Sequence, residues 1–171
     1  MRKQDLSVLA KEDVIKAFSK DWALVTAGNA GSFNTMTVSW GGIGYLWDRP
    51  VVYLFIRPER YTHDFIEREN FLTVSFYDEK YHRKALQICG TKSGRDMDKA
   101  AEAGLTPVAT EKGSVTFSQA RLTIECRKLF DIDMTEDSFK DRAVYEEWYK
   151  GPKGGGLHTI YVAEIENVYS V

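Results

Sequence analysis

Three stretches of the chain carry residue types suited to holding a ligand. The first is Asn34-Thr35-Met36-Thr37-Val38-Ser39-Trp40, followed by Gly41-Gly42. A plain core strand would read apolar, polar, apolar. Here Thr, Ser and Asn stand where bulk is expected, so a flat ligand can approach the backbone closely. The alternative is an edge strand with Ser and Thr facing water and a Gly-Gly turn. The second stretch holds Arg57, Arg60 and Thr62. Thr62 stands where a helix is expected to begin, and free N–H groups with the helix dipole attract a phosphate there. Arg57 and Arg60 add charge-assisted hydrogen bonds. The alternative is a surface turn with an ordinary N-cap and solvated arginines. The third stretch is Thr91-Lys92-Ser93-Gly94-Arg95-Asp96, with Lys99 one turn later. Ser93 and Gly94 free the backbone to wrap an oxyanion whose charge Arg95 and Lys99 balance. The alternative is a solvated connector in which Asp96 caps the next helix. Two basic loops flanking a polar, glycine-edged strand is the less common combination, and it favours the ligand reading.

No GxSxG elbow, HExxH, Walker loop or kinase signature occurs, and no carboxylate pair stands out as an acid/base couple. Catalysis by this chain would depend on a cofactor, with the protein supplying position and electrostatics. No catalytic residue is assigned. Trp40, which ends the first stretch, is expected at the ligand, whereas Tyr45 and Trp47 fit a core or subunit contact. His158 fits either a ligand contact or a local hydrogen bond. His63 falls on the first turn of its helix, near the possible phosphate.

These residues need a scaffold. Residues 11–20 read as a short amphipathic helix, with Val14, Ile15 and Phe18 on one face. Residues 22–28 and the Asn34 stretch form two strands of a hairpin, turning at Gly28 to Gly31. Gly44 to Pro50 is an aromatic loop. Val51 to Ile56 is a strand buried on both faces or placed at a subunit contact. Thr62 caps a helix running to about Glu69. Residues 71–77 form a strand, residues 79–88 a helix, and Asp96 to Ala103 a further helix with Gly104 at its C′ position. The β pattern returns over Ser114 to Met134, with Leu122, Ile124 and Cys126 alternating against polar neighbours. Residues 136–149 read as a helix burying Phe139, Val144 and Trp148. Gly151 to Gly156 is a flexible loop, and Leu157 to Tyr169 a final, bent strand. The expected fold is mainly β with inserted short helices, an antiparallel barrel of six or seven strands. A Rossmann unit is disfavoured, because strands and helices do not alternate regularly and no GxGxxG follows the first strand.

The 171 residues suit a single domain, 1–171, and 43% hydrophobic with 28% charged residues is the balance of a globular one. A formal net charge of −2 argues against a dedicated nucleic-acid binder. Cys89 and Cys126 form no CxxC pair and the three histidines are scattered, which speaks against zinc and for reduced thiols in a cytoplasm. No apolar signal core follows Met1 and no run is long enough to span a membrane, so a cytoplasmic location away from membranes is expected.

The series NTMTVSWGG from Asn34, RPERYT from Arg57 and CGTKSGRDMDK from Cys89 resembles the flavin reductase-like, FMN-binding split-barrel family, and within it the flavoredoxin branch. The likeness runs from about residue 20 to the C-terminal strand. It implies a Greek-key antiparallel split β-barrel that forms a homodimer and holds FMN near the subunit interface. By matching positions, Asn34, Thr35, Met36, Thr37, Val38, Ser39 and Trp40 would line the isoalloxazine. Thr62 with Arg57 or Arg60 would hold the phosphate or ribityl chain, and Ser93, Arg95 and Lys99 would close the site. The resemblance implies an NAD(P)H-dependent flavin reductase that takes electrons from NADH or NADPH through FMN to free flavin or a partner oxidoreductase or monooxygenase. Hydride transfer to a flavin demands alignment more than a protein acid or base, consistent with the missing catalytic motif. Two other functions are open: a non-catalytic FMN-carrying electron-transfer protein, and a dimeric barrel that has lost the cofactor and serves as a binding module.

Overall fold

The computed structural model describes residues 1–152 and 154–170; Lys153, within the expected glycine loop, lies outside the described residues. Its centre is an eight-stranded sheet with every pairing antiparallel. The strands are β1 (Arg2–Gln4), β2 (Ala23–Asn29), β3 (Ser32–Val38), β4 (Gly41–Leu46), β5 (Arg49–Ile56), β6 (Phe71–Phe76), and, after the small β7 (Pro107–Ala109) and β8 (Val115–Phe117) hairpin, β9 (Leu122–Asp133) and β10 (Thr159–Ser170). The order across the sheet is β3-β2-β6-β9-β10-β5-β4, with β1 added to the far end of β10. The sheet curls, and β3 and β4, its two edges, do not pair. This is the antiparallel split barrel expected from the sequence. The two long strands make the bend: β10 pairs with β9 throughout, with register shifts at Val162/Ala163 and Ile165/Asn167 that coil the ribbon.

The barrel interior is filled from alternate positions of these strands, including Val25, Ala27, Leu54, Ile56, Val74, Ile124 and Tyr161. A second apolar cluster lies outside the sheet. There Leu24 and Phe117 meet Leu86 and Cys89 on one side and Ala100 and Ala103 on another. β2 is therefore buried on both faces and reads as a near-continuous apolar run. The elements covering it are α3 (Gln87–Thr91) and α4 (Lys99–Ala103); α1 (Val14–Lys16) and α2 (Tyr61–Arg68) lie earlier in the chain and α5 (Arg142–Tyr145) in the β9–β10 crossover. Asp98, and not Asp96, caps α4 through the Ala101 N–H, so the helix starts later than expected; Gly104, at φ 70°, closes it in the left-handed conformation, as the sequence predicts.

Several expectations are corrected. Gly41 and Gly42 do not form a turn but begin β4, and the aromatic loop expected from Gly44 to Pro50 is the end of that strand, a two-residue turn at Trp47-Asp48 and the start of β5. The reason lies in packing: a Cβ on Gly41 would stand 2.7 Å from both the Phe18 ring and the Tyr53 carbonyl oxygen. α2 is capped by Arg60, with no side-chain cap bond, so Thr62 lies inside its first turn rather than at its start. The helix expected over 11–20 is three residues of α1 followed by a wider turn, Ala17–Asp21. The helix expected over 136–149 is broken into three short turns; Tyr145 is buried in it and Val144 is not. The strand expected over Val51–Ile56 is present within β5, hydrogen-bonded to β4 on one side and β10 on the other, with Val51, Val52, Leu54 and Ile56 buried and Tyr53 and Phe55 half-buried.

The β2–β3 hairpin sets the position of β3. Its loop is Ala30-Gly31, with the Asn29 side chain accepting the Gly31 N–H, and Gly28 at φ 111° opposes Phe33. A Cβ on Gly28 would lie 2.2 Å from the Ser32 carbonyl oxygen. Gly28→Ala is expected to destabilise the protein by roughly 1–3 kcal/mol or more through backbone strain alone. Urea denaturation of the two proteins checks this.

Candidate functional site

The first feature to build is the tether between β3 and α3. Thr37 donates its hydroxyl to the Leu86 carbonyl, just before α3. At the other end of α3, a Cβ on Gly90 would come within 3.2 Å of the Thr37 side chain, so glycine is what lets helix and strand approach this closely. Two cations then grip consecutive carbonyls at the C-terminal end of α3. Arg60 donates to the Gly90 oxygen at 2.7 Å, and Lys99 to the Cys89 oxygen at 3.3 Å. The negative end of a helix favours cations there.

This arrangement frames an open cleft of about 210 Å³. Met36 to Trp40 form one side, Arg57, Arg60 and Gly90 another, and Phe55 and His158 the rest. Five of the seven residues of the first sequence stretch thus face it, and so do two of the three in the second. Asn34 and Thr35 do not. Thr35 bonds to Thr26 at 2.9 Å and to the Val25 carbonyl. Asn34 donates to the Thr62 hydroxyl at 2.7 Å, and Thr62 is fully buried. Asn34, Thr35 and Lys99 border a separate pocket of about 360 Å³ beside Gly94.

The third stretch separates into two kinds of residue. Ser93 uses its hydroxyl to accept the Arg95 N–H. Arg95 lies over the Tyr61 ring and pairs with Asp64 at 2.6 Å, so its charge is already matched. Lys99 is the opposite case. It is only 4% exposed, and neither it nor Arg60 has a salt bridge among the described residues. Burial pulls Lys99 down to about 8, and the like charge of Arg60 acts in the same direction. Burial also lowers Arg60. Cys89 is pushed up to about 11 by burial and stays a thiol. A buried lysine and a half-buried arginine, neither in a salt bridge among the described residues, form a site that an anion would complete, although the Glu59 carboxylate acts on Arg60 from nearby.

The other end of the cleft belongs to the β9–β10 crossover. Arg57 reaches the Trp148 carbonyl at 3.4 Å, lies over the Tyr149 ring, and pairs loosely with Glu59 at 3.9 Å. Glu59 in turn accepts the Gly156 N–H. Tyr149 and His158 Nδ1 are hydrogen-bonded at 2.8 Å. Burial, with Arg57 nearby, takes His158 down to about 4, so its ring is neutral at neutral pH. Trp40 meets the Trp148 ring edge-on at 5.1 Å. Phe55, Gly90, Trp148 and Tyr149 escaped sequence reasoning. Phe55 sits in a strand whose apolar run reads as core throughout, and the crossover aromatics lie about ninety residues from the arginines they meet. The spacing of Gly90 from the polar strand carried no local signal.

The sequence family described as flavin reductase like domain matches residues 15–171. No curated protein matches the chain. Among solved structures, the chain is similar to flavoredoxin of Desulfovibrio vulgaris (Miyazaki F), 23% identical over 99% of this chain and 77% of that one, with a TM-score of 0.68. It is similar to flavoredoxin of Methanosarcina acetivorans at 20% identity over 88% and 68% of the two chains, TM-score 0.68. It is also similar to the NADH:FAD oxidoreductase of Streptomyces globisporus C-1027 at 17% identity over 88% and 74%, TM-score 0.63.

Lys99 makes folding pH-dependent in a defined direction. Its folded pKa of about 8 lies below the ordinary lysine value of 10.5, so the unfolded chain holds the proton more tightly between those values. The stability that burial of the charge costs below about pH 8 is regained as pH rises toward 10.5. Relative to wild type, Lys99→Met is expected to be more stable at neutral pH by on the order of 2–3 kcal/mol, with the difference shrinking toward pH 10. Denaturant titrations of ligand-free protein across that range test the sign.

Proposed function

The chain belongs to the flavin reductase like domain family, and from that membership we propose that it is an FMN-dependent oxidoreductase taking electrons from NADH or NADPH. The observation that carries the proposal is a cleft floored by a polar strand, with half-buried Arg60 on its wall and buried Lys99 on the next carbonyl, neither in a salt bridge among the described residues. The residues fit the cofactor. A flavin mononucleotide needs a flat floor, a cationic cradle for its phosphate and a dry side for its dimethylbenzene ring. Met36 to Trp40 with Gly90 supply the floor, Arg60 the charge, with Lys99 behind it on the neighbouring Cys89 carbonyl, and Phe55 and Trp40 the dry side. Thr62 supports the site indirectly by fixing Asn34, and Ser93 and Arg95 do so by shaping the loop around Gly94, whose missing Cβ admits the Asn34 side chain. FMN, when bound, supplies reversible two-electron chemistry that no side chain here provides. The chain's own contribution is to align, to neutralise the phosphate and to keep water from one face. The neutral His158 adds no charge at the cleft.

The electron acceptor in this proposal is free flavin or a partner oxidoreductase or monooxygenase, and the location is cytoplasmic. Among the described residues no helix is long and apolar enough to cross a membrane. A second reading is an electron-transfer protein that holds FMN tightly and turns over no nicotinamide; the likeness to two flavoredoxins favours keeping it. The spectrum of the isolated protein, followed by anaerobic addition of NADH and NADPH, decides. Bleaching of bound FMN within turnover time is expected; indifference to both nicotinamides leaves the carrier, and a colourless protein that takes up no FMN overturns both. Arg60→Gln with Lys99→Met is expected to weaken FMN binding roughly ten- to a hundredfold while the fold, read by circular dichroism, is kept.

The proposal includes a homodimer. Tyr45, Trp47, Phe130 and Ile132 are exposed together on the outer face, and Trp47 packs edge-on against Phe130. Trp47 and Asp48 form the tip of the β4–β5 hairpin with φ of 52° and 59°, a turn that suits Asn and Gly, not Trp. An indole held there at a cost in strain fits a buried anchor in a subunit contact. Trp47→Asn is therefore expected to leave the monomer at least as stable to urea while shifting sedimentation from dimer to monomer at micromolar concentration.

A further inference from the structure

The β7–β8 hairpin shares no backbone ladder with the barrel it covers. It is held instead by a seam of polar side chains. Thr73 and Ser75 of β6 alternate with the interior residue Val74, and Thr123 and Glu125 of β9 with the interior residue Ile124, so all four point outward. All four are nonetheless fully buried, because the hairpin lies over them. Thr73 donates to the Val115 carbonyl at 2.6 Å. The hydroxyls of Ser75, Thr116 and Thr123 close a triangle with sides of 3.0, 2.7 and 3.1 Å. Glu125 accepts from the Thr110 hydroxyl and the Lys112 N–H on the hairpin, and from Asn167 and Tyr169 on β10. Tyr169 in turn takes the Glu111 N–H at 3.3 Å. Such a seam opens at modest cost. Each hydrogen bond is exchanged for one to water, and Glu125 regains the hydration that burial removed. The hairpin's apolar anchor is Phe117, which meets Phe33 edge-on at 5.9 Å and shares the second cluster with Ala100 and Ala103 of α4. α4 is tied to the hairpin a second time: Gln119 accepts the Thr106 N–H at 3.0 Å and donates to the Gly104 carbonyl at 3.2 Å. α4 begins with Lys99, whose ammonium rests on the Cys89 carbonyl.

We propose that the β7–β8 hairpin and α4 form one unit that detaches from the barrel while the rest of the sheet stays folded, and that its detachment takes Lys99 off the Cys89 carbonyl. Closed, the unit completes the cationic end of the cleft; open, it leaves Arg60 there alone. The coupling is reciprocal, so FMN, whose phosphate the closed form holds better, keeps the unit closed. This coupling rests on the flavin reading above, whereas the detachment does not. Once detached, neither piece keeps its own structure, since a lone two-stranded hairpin and a five-residue helix are unstable in water. Opening is therefore read directly as amide exchange.

Native-state hydrogen exchange of the full chain, followed amide by amide by NMR, tests both halves. Amides of residues 107–117 and 102–105 are expected to share one opening, at least roughly tenfold more populated than the opening that exposes β9 and β10. Glu125→Gln breaks the clasp and is expected to speed exchange of both stretches by the same factor, at least roughly tenfold. Thr110→Ala removes a single donor from the hairpin and is expected to act on both stretches in the same direction, which keeps the test available if Glu125→Gln does not fold. Saturating FMN is expected to slow both stretches at least roughly tenfold, the factor by which the open form binds FMN more weakly. The inference is overturned by hairpin amides that exchange only together with β9 and β10, by variants that leave either stretch unchanged, or by FMN-bound protein in which both stretches exchange as fast as without it. A protein that takes up no FMN refutes the flavin reading, and the detachment then stands or falls on the ligand-free measurements alone.

Discussion

Two cations on consecutive carbonyls hold the site together. Arg60 comes from the start of α2 and Lys99 from the start of α4, and they meet at Gly90 and Cys89, the C-terminal end of α3. Three helices are thereby fixed to one point, and that point lies against β3 through Gly90 and Thr37. The carbonyl oxygens hold the cations in place but do not neutralise them. A helix end carries about half an elementary charge, and two full charges face it. The excess is what remains for an anion; burial is what chiefly depresses Lys99, with the like charge of Arg60 adding to it.

The barrel also contains a buried charge that is fully satisfied, and the contrast is instructive. Glu125, wholly buried on β9, accepts from the hydroxyls of Thr110 and Tyr169, the Asn167 amide and the Lys112 N–H. Those four donors tie the β7–β8 hairpin to β9 and β10, and nothing is left over for a ligand. Burial of charge alone is therefore not a sign of a ligand site in this molecule. What separates buried Lys99 and half-buried Arg60 from Glu125 is incomplete compensation, and natural proteins keep incompletely compensated charges where a ligand completes them.

How much of this the sequence showed depended on the range of the interaction. The β2–β3 hairpin, the alternation of Leu122, Ile124 and Cys126 and the left-handed Gly104 are local, set by period two and by backbone sterics, and all were legible. The polar strand and the basic character of the two loops were legible as composition. What composition did not show was which cation is matched. Arg95 and Lys99 stand four residues apart in the same motif, yet Arg95 turns out to Asp64 and Lys99 turns in to Cys89. Thr62 looked like a cap because it precedes an amphipathic stretch, but the cap position is two residues earlier, at Arg60, and the Thr62 hydroxyl accepts from the Asn34 amide. Gly41 read as a turn because no local pattern reveals that Phe18 packs against it. Each of these failures is a tertiary contact overriding a correct local preference.

The split in the barrel gives these contacts their arrangement. β3 ends at Val38 on one free edge and β4 begins at Gly41 on the other, so Ser39 and Trp40 alone carry the chain across the gap. Trp40 consequently stands between two environments. On one side are Arg60 and the α3 carbonyls; on the other are Phe55 and the crossover aromatics. Arg57 stands at the same division, and the crossover holds it there through the Trp148 carbonyl and the Tyr149 ring. With Arg57 turned to the aromatic side and His158 neutral, the charge that lines the cleft for an anion concentrates at Arg60, with Lys99 buried behind it. The cleft is therefore graded from cationic to apolar along its length, which imposes a single orientation on any ligand that is charged at one end and flat at the other.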